Sequence, residues 1–213
     1  MQRWGKFYSN LRSKINSVQA TLRPNQMNRQ SSVKNEGLQP TINGCRNNDR
    51  RCQKALYDRF YGYALSVALP YCGRESEARE VLNDAFLKVF TSIGRYDETL
   101  PFTPWLRAIV IRTAINHYHK HLHDLDFDDL TDGIEVCVED DYLLRVEAEE
   151  LLALVQKLSP AYRMTLNLHA LEGYTHQEIA DSLGVSVGAS KSNLSKARTK
   201  LKQMMTDQLI NGI

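Results

Sequence analysis

Apolar residues recur every three or four positions in two long blocks of this sequence, and a stretch without such a period separates them. The first block covers residues 45–120, and the second covers residues 143–207. A period near 3.6 residues indicates amphipathic helices that bury one face. The sequence therefore predicts an all-α protein with two small helical domains, the first of them a three-helix bundle.

The stretch between the two blocks is acidic. Every charged residue from Asp124 to Asp141 is negative, and like charges extend a chain by repulsion. Residues 121–142 are therefore predicted to form a flexible linker. Residues 1–37 are basic and rich in Gln, Asn and Ser, and we expect a disordered extension there. The net charge of +2 conceals this basic–acidic–basic order, which suggests a separate task for each segment.

Composition and motifs exclude several classes of protein. The four cysteines have neither the paired spacing of a zinc site nor a dense disulfide pattern, and are expected to be reduced thiols. No segment reaches the ~20 apolar residues that span a bilayer, and the N-terminus has no apolar signal core. A Gly-rich phosphate loop and a nucleophile elbow are also absent from the sequence. We expect a cytoplasmic protein that is not an enzyme and needs no cofactor.

Two short helices near the C-terminus carry the sharpest signal. Thr175 and Glu178 form a capping box at the start of the first helix. Gly184 supplies the left-handed residue of a sharp turn, and Ser186 can cap the second helix. Small, polar and basic side chains, which suit a helix that enters the major groove, lie on one side of the second helix: Ser186, Ala189, Lys191, Ser192, Asn193, Ser195, Lys196 and Arg198. The pattern favours a DNA-binding helix-turn-helix over its alternative, a helical hairpin with a solvated basic face.

Both blocks together resemble the extracytoplasmic-function (ECF) sigma factors of the sigma-70 superfamily. In the first block the similar segments are residues 55–61 (ALYDRFY), 83–90 (NDAFLKVF) and 102–107 (FTPWLR). In the second block they are residues 158–163 (LSPAYR), 173–180 (GYTHQEIA) and 186–198 (SVGASKSNLSKAR). The segment SKSNLSK within the last of these is most similar to family members from the Bacteroidetes.

The resemblance implies a transcription initiation factor that binds core RNA polymerase and recognises the minus-ten and minus-thirty-five elements of promoter DNA. The first block would be sigma region 2, and the second would be region 4, whose recognition helix reads the minus-thirty-five element. A membrane-bound anti-sigma factor is a common partner in this family. The residues implied for polymerase binding are Leu82, Asn83, Asp84, Phe86 and Leu87. Those implied for the minus-ten element, some of them in the loop of residues 95–101 that would capture a flipped base, are Arg95, Tyr96, Asp97, Trp105, Arg107 and Arg112.

Several alternatives remain open at this stage. Phe86 and Trp105 can serve as core residues, since an aromatic at helical spacing usually packs. His117, His119, His121 and His123 have one-turn spacings that could suit a metal, but a DNA-facing helix end is the favoured interpretation. The rival to a sigma factor is a conventional helix-turn-helix regulator that binds duplex DNA without polymerase and uses its first block to dimerise.

Overall fold

The computed structural model describes residue 13, residues 37–121 and residues 148–211. All regular elements within these ranges are helical, as the sequence predicts. The first block contains α1 (Gln39–Arg46), α2 (Arg50–Ala68), α3 (Glu75–Ser92) and α4 (Phe102–Lys120), with 3-10 turns at Leu69–Tyr71 and Ile93–Arg95. The second block contains α5 (Ala148–Gln156), α6 (Pro160–Ala170), α7 (His176–Leu183) and α8 (Val187–Asn211). Apart from residue 13, the predicted extension up to residue 36 and the predicted linker from residue 122 onward lie outside the described residues.

Helix α1 is an addition to the predicted three-helix bundle. Pro40 stands in its first turn, where a missing N–H is tolerated. Leu38, Ile42 and Cys45 are buried, and they fall on one face because their spacing is four and three residues. Two turns are too few for a clear period in a polar neighbourhood, which is why periodicity begins the folded block at residue 45 although α1 begins at Gln39.

The predicted turn chemistry of α7 and α8 is confirmed. Glu178 N donates to Thr175 Oγ1 over 3.2 Å, and Thr175 N donates to Glu178 Oε2 over 2.8 Å. Gly184 has a φ of 66°, in the left-handed region that favours glycine. Ala189 N donates to Ser186 Oγ over 3.0 Å, which caps α8. These local bonds set the angle between the two helices.

The two blocks do not have separate cores. A first apolar cluster fills the bundle of α1 to α4 and also takes in four side chains of α6 and α7, namely Met164, Leu168, Ile179 and Leu183. A second cluster joins α5, α6 and α8 through residues such as Leu154, Leu166, Leu194 and Leu201. Helix α6 is therefore buried on nearly all sides, and it connects the two clusters.

Candidate nucleic-acid interface

The predicted recognition face lies on the outside of α8. Ser186, Lys191, Ser192 and Ser195 are exposed, and Ala189, Asn193, Lys196 and Arg198 are half-buried. The opposite side of the helix is anchored, because Leu194, Ala197 and Leu201 are each no more than 2% exposed. Apolar burial on one side thus fixes the rotation of α8 and presents the polar and basic side chains to solvent.

A histidine fastens the first helix of the motif to the second. His176 Nδ1 lies 3.0 Å from the Oγ of Ser190, a fully buried hydroxyl on α8. The His176 ring also stacks on His169, with ring centroids 5.0 Å apart and an interplanar angle of 11°. Burial lowers the pKa of His176, and the neighbouring charges of His169, Lys191 and Arg198 lower it further. The neutral imidazole is therefore the form that this packing favours.

Mild acid is expected to destabilise this motif. Because the pKa of His176 is lower in the folded chain, the unfolded chain binds the proton more readily once the pH falls below about 6.5. The melting temperature should therefore be a few degrees lower at acidic pH than at neutral pH, and His176→Gln should reduce the difference. His119→Gln is the matched control, because His119 is an exposed imidazole on α4 whose bond to the Ser182 carbonyl a glutamine can also make. An unchanged pH dependence in the His176 variant would contradict the expectation.

The residues implied for the minus-ten element divide into two groups. Arg95, Asp97 and Arg112 are exposed. Tyr96 is only 4% exposed, and its hydroxyl donates to the carbonyl oxygen of Leu100. Its ring packs against Phe102 and Trp105, with centroids 5.4 Å and 4.9 Å away. Tyr96 thus supports the loop from inside, while a contact between its ring and DNA stays a prediction. Trp105 is half-buried, so both of the roles considered for it remain open.

The residues implied for polymerase binding also fall into an exposed group and a buried group. Asn83, Asp84 and Leu87 are exposed on α3, and Leu87 keeps 65% of its surface accessible. Leu82 is 0% and Phe86 is 2% exposed. The Phe86 ring packs 4.8 Å from Tyr57, so Phe86 has the core role that was its alternative. Leu82 is buried in the same way, which places it behind the surface rather than on it.

Arg107 contacts the second block. Its Nε donates to Glu172 Oε2 over 3.0 Å and its Nη2 donates to Glu172 Oε1 over 2.7 Å, a two-bond geometry with high directional preference. Tyr71 Oη donates to the same carboxylate over 2.9 Å. Burial would lower the pKa of Arg107, but the bonds and charge of Glu172 outweigh it and raise the pKa. No local pattern in the sequence points to Glu172 as the partner of Arg107, because 65 positions separate the two residues.

A second buried arginine joins the blocks. Arg163 on α6 is 6% exposed and donates to three backbone carbonyl oxygens, those of Tyr71, Gln156 and Leu158, over 3.2, 2.8 and 3.0 Å. Gly73 makes room for it, since a Cβ at that position would lie 3.3 Å from both Nη atoms. Asn167 adds a bond to the carbonyl oxygen of Pro70. We call these contacts, made by Tyr71, Arg107, Arg163, Asn167 and Glu172, the inter-block seam.

The histidines predicted to form a cluster at the end of α4 lie partly at the contact between the two blocks. The rings of His117 and His121 stack with centroids 4.2 Å apart. His119 Nε2 lies 2.9 Å from the carbonyl oxygen of Ser182, so this ring faces the second block. His123 lies outside the described residues. Within the described ranges no three His, Cys, Asp or Glu side chains are grouped so that they could hold a metal, and no helix there is long and apolar enough to cross a membrane.

A helix-turn-helix with a basic outer face, seated on a second helical block, defines a DNA-binding protein. The family model described as "Sigma-70 region 2" matches residues 56–122 of the chain, and the one described as "Sigma-70, region 4" matches residues 148–201. The chain is 30% identical to RNA polymerase sigma factor CarQ of Myxococcus xanthus over 132 residues, which are 60% of this chain and 74% of CarQ. It is 25% identical to the sigma-H factor of Pseudomonas aeruginosa over 169 residues, 74% of this chain and 88% of that factor. It is also 23% identical to the ECF sigma factor SigW of Bacillus subtilis over 147 residues, 63% of this chain and 79% of SigW.

The chain therefore belongs to the sigma-70 family of RNA polymerase sigma factors, in its extracytoplasmic-function group. It binds core RNA polymerase and directs it to promoters, and the predicted function is confirmed. The rival interpretation, a regulator that acts without being a polymerase subunit, is set aside. Sigma factors are not a class of enzymes.

Proposed function

We propose that the outer face of α8 reads the minus-thirty-five element, and that the loop of residues 95–101, together with Arg107 and Arg112, contacts the minus-ten strand. Asn83, Asp84 and Leu87 on α3 dock on the polymerase. The observation that carries the proposal is the two-sided character of α8, with small, polar and basic groups outside and apolar groups inside. We also propose region 2 as residues 45–120 with α1 added before it, region 4 as residues 143–207, an acidic linker at residues 121–142 and a basic extension at residues 1–37. The apolar periodicity and the charge blocks of the sequence support these bounds.

Further parts of the proposal concern setting and partners. The factor acts in the cytoplasm, carries out no chemistry itself, and comes from a Bacteroidetes-like lineage. The SKSNLSK segment of α8 supports that lineage. A membrane-bound anti-sigma factor is proposed to cover the polymerase-binding faces of both blocks, including this α3 surface. The exposed apolar side chain of Leu87 supports a protein partner at that surface.

Run-off transcription tests the proposal directly. Purified core RNA polymerase is supplied with a genomic fragment library, with and without the full chain. New, discrete start sites that require the chain are expected, and their upstream sequences give the two promoter elements. No gain in initiation, combined with duplex binding by the chain alone, would contradict the proposal.

Two kinds of substitution in α8 should have different effects on the minus-thirty-five duplex. Lys191→Ala removes a cation that suits a phosphate, so affinity should fall about tenfold for every sequence and the salt dependence should weaken by about one counterion. Asn193→Ala removes an amide that suits a base edge, so base preference at one position should relax. Lys157→Ala, an exposed lysine between α5 and α6, is the control and should change neither quantity. Equal effects of the two lysine variants would count against α8 as the reading helix.

A further inference from the structure

The loop of residues 95–101 and the 3-10 turn Ile93–Arg95 that leads into it, together residues 93–101, are held by a side chain from outside the segments implied in DNA recognition. Arg46, the last residue of α1, lies against this loop, although 47 to 52 positions separate it in sequence from the groups it contacts. Its Nε donates to the carbonyl oxygen of Ile93 over 3.5 Å, and its Nη2 donates to that of Tyr96 over 3.1 Å. Its Nη1 forms an ion pair with Glu98. One planar guanidinium thus binds the loop at three points.

The same loop is fixed from its inner side by other groups. Tyr96 packs on Phe102 and Trp105, and its hydroxyl bonds to the carbonyl oxygen of Leu100. The carboxylate of Asp97 accepts from both Thr99 N and Thr99 Oγ1, over 2.9 and 2.7 Å, which closes a tight turn. The side chains left exposed on this fixed backbone are Arg95, Asp97, Thr99, Leu100 and Pro101. The loop is therefore a preformed surface held between Tyr96 on one side and Arg46 on the other.

We propose that Arg46 is a positioning residue for promoter recognition, because it holds the loop of residues 93–101 in the shape that accepts a base of the melted minus-ten strand. This inference rests on the proposed function of that loop. Pulling a base out of the stack costs free energy, which a loop that must also be ordered on binding could not easily supply. Arg46 removes this ordering cost in advance. Its side chain is 30% exposed, and three of its four bonds go to the loop, so it acts through the loop.

A lysine cannot replace Arg46 fully. The guanidinium presents its donors in a rigid fork, whereas an ammonium is a compact point charge. Arg46→Lys should therefore keep the pairing with Glu98 but lose the two carbonyl bonds. Arg46→Ala should lose all three contacts, and Glu98→Ala should lose the ion pair while Arg46 keeps its two carbonyl bonds. Asn43→Ala is the matched control, since Asn43 accepts a bond from Arg46 over 3.2 Å without being part of the loop.

The test uses holoenzyme reconstituted from core polymerase and the full chain, on a promoter first mapped by run-off transcription. Affinity is measured for single-stranded minus-ten oligonucleotides with each base substituted in turn, and for the minus-thirty-five duplex. Base discrimination in Arg46→Ala is expected to fall about tenfold, with smaller losses in Arg46→Lys and Glu98→Ala. The control variant and the duplex affinity should not change. Hydrogen exchange of the loop amides in the chain alone should become faster in the same order.

Each remaining outcome counts against the proposal in a recognisable way. Full discrimination by a folded Arg46→Ala holoenzyme overturns it. Equal losses on the single strand and the duplex indicate a general structural role and also overturn it. If Arg46→Ala does not fold, Arg46→Lys and Glu98→Ala are used in its place. Full base discrimination by both of these variants would overturn the proposal. A wild-type holoenzyme that does not discriminate among minus-ten bases would instead refute the proposed function of the loop.

Discussion

Replacing Arg163 with alanine should destabilise the chain by about 3–5 kcal/mol. The substitution leaves the carbonyl oxygens of Tyr71, Gln156 and Leu158 without their donor in a buried place, and it opens a space beside Gly73. Burial lowers the pKa of Arg163, an effect that the charges of Cys72 and Glu77 oppose, but an arginine stays protonated in proteins. Urea unfolding monitored by circular dichroism measures the loss.

Arg74→Ala is the control for this prediction. The Arg74 side chain is 77% exposed and pairs with Glu77 at the surface, a kind of contact that contributes little. We expect its free energy of unfolding to stay within about 1 kcal/mol of the wild type. Similar costs for the Arg163 and Arg74 variants would mean that the inter-block seam is not formed in solution.

Reversing one charge in the inter-block seam should separate the blocks. Arg107→Glu places two carboxylates together, where the Arg107 and Glu172 side chains are only 24% and 10% exposed. We expect a loss of about 2–5 kcal/mol and a larger radius of gyration in small-angle scattering. The double variant Arg107→Glu with Glu172→Arg should recover part of both quantities.

The exposed ion pair of Lys54 and Asp58 is the control for the charge reversal at Arg107. These side chains are 76% and 57% exposed, one helical turn apart on α2. Lys54→Glu is expected to change the free energy of unfolding by less than about 1 kcal/mol and to leave the radius of gyration unchanged. If the swapped Arg107 and Glu172 pair recovers nothing, the two residues do not interact in the way described.

The features predicted correctly from the sequence depend on residues close together along the chain. The capping box of Thr175 and Glu178 spans three positions, and Gly184 alone indicates the turn. Periodicity likewise predicts which side of α8 is buried. Each of these signals is complete within one or two helices, so no knowledge of the tertiary arrangement is needed.

The features that the sequence did not reveal depend on distant partners. Arg107 and Glu172 are 65 positions apart, and Arg163 and Tyr71 are 92 apart, with the acidic stretch between them. An exposed arginine that binds DNA and a buried arginine that binds a carboxylate look alike in a single sequence. The available signal was Arg163 and Asn167 on a helix whose other residues are mostly apolar, since buried polar groups need partners. Tyr96 shows the same limit, because its burial depends on Phe102 and Trp105 being brought beneath it.

A promoter is longer than this pair of joined blocks. The centres of its two elements are separated by about 25 base pairs, or about 85 Å of DNA at 3.4 Å per step, whereas a compact domain of about 150 residues has a radius of gyration near 15 Å. We therefore expect the inter-block seam to open before the factor occupies both elements, and this opening would also release Arg107 from Glu172. The free energy that keeps the seam closed would then be subtracted from the free energy of promoter binding. A substitution of Glu172 that weakens the seam would lower the stability of the free chain and raise its affinity for promoter DNA.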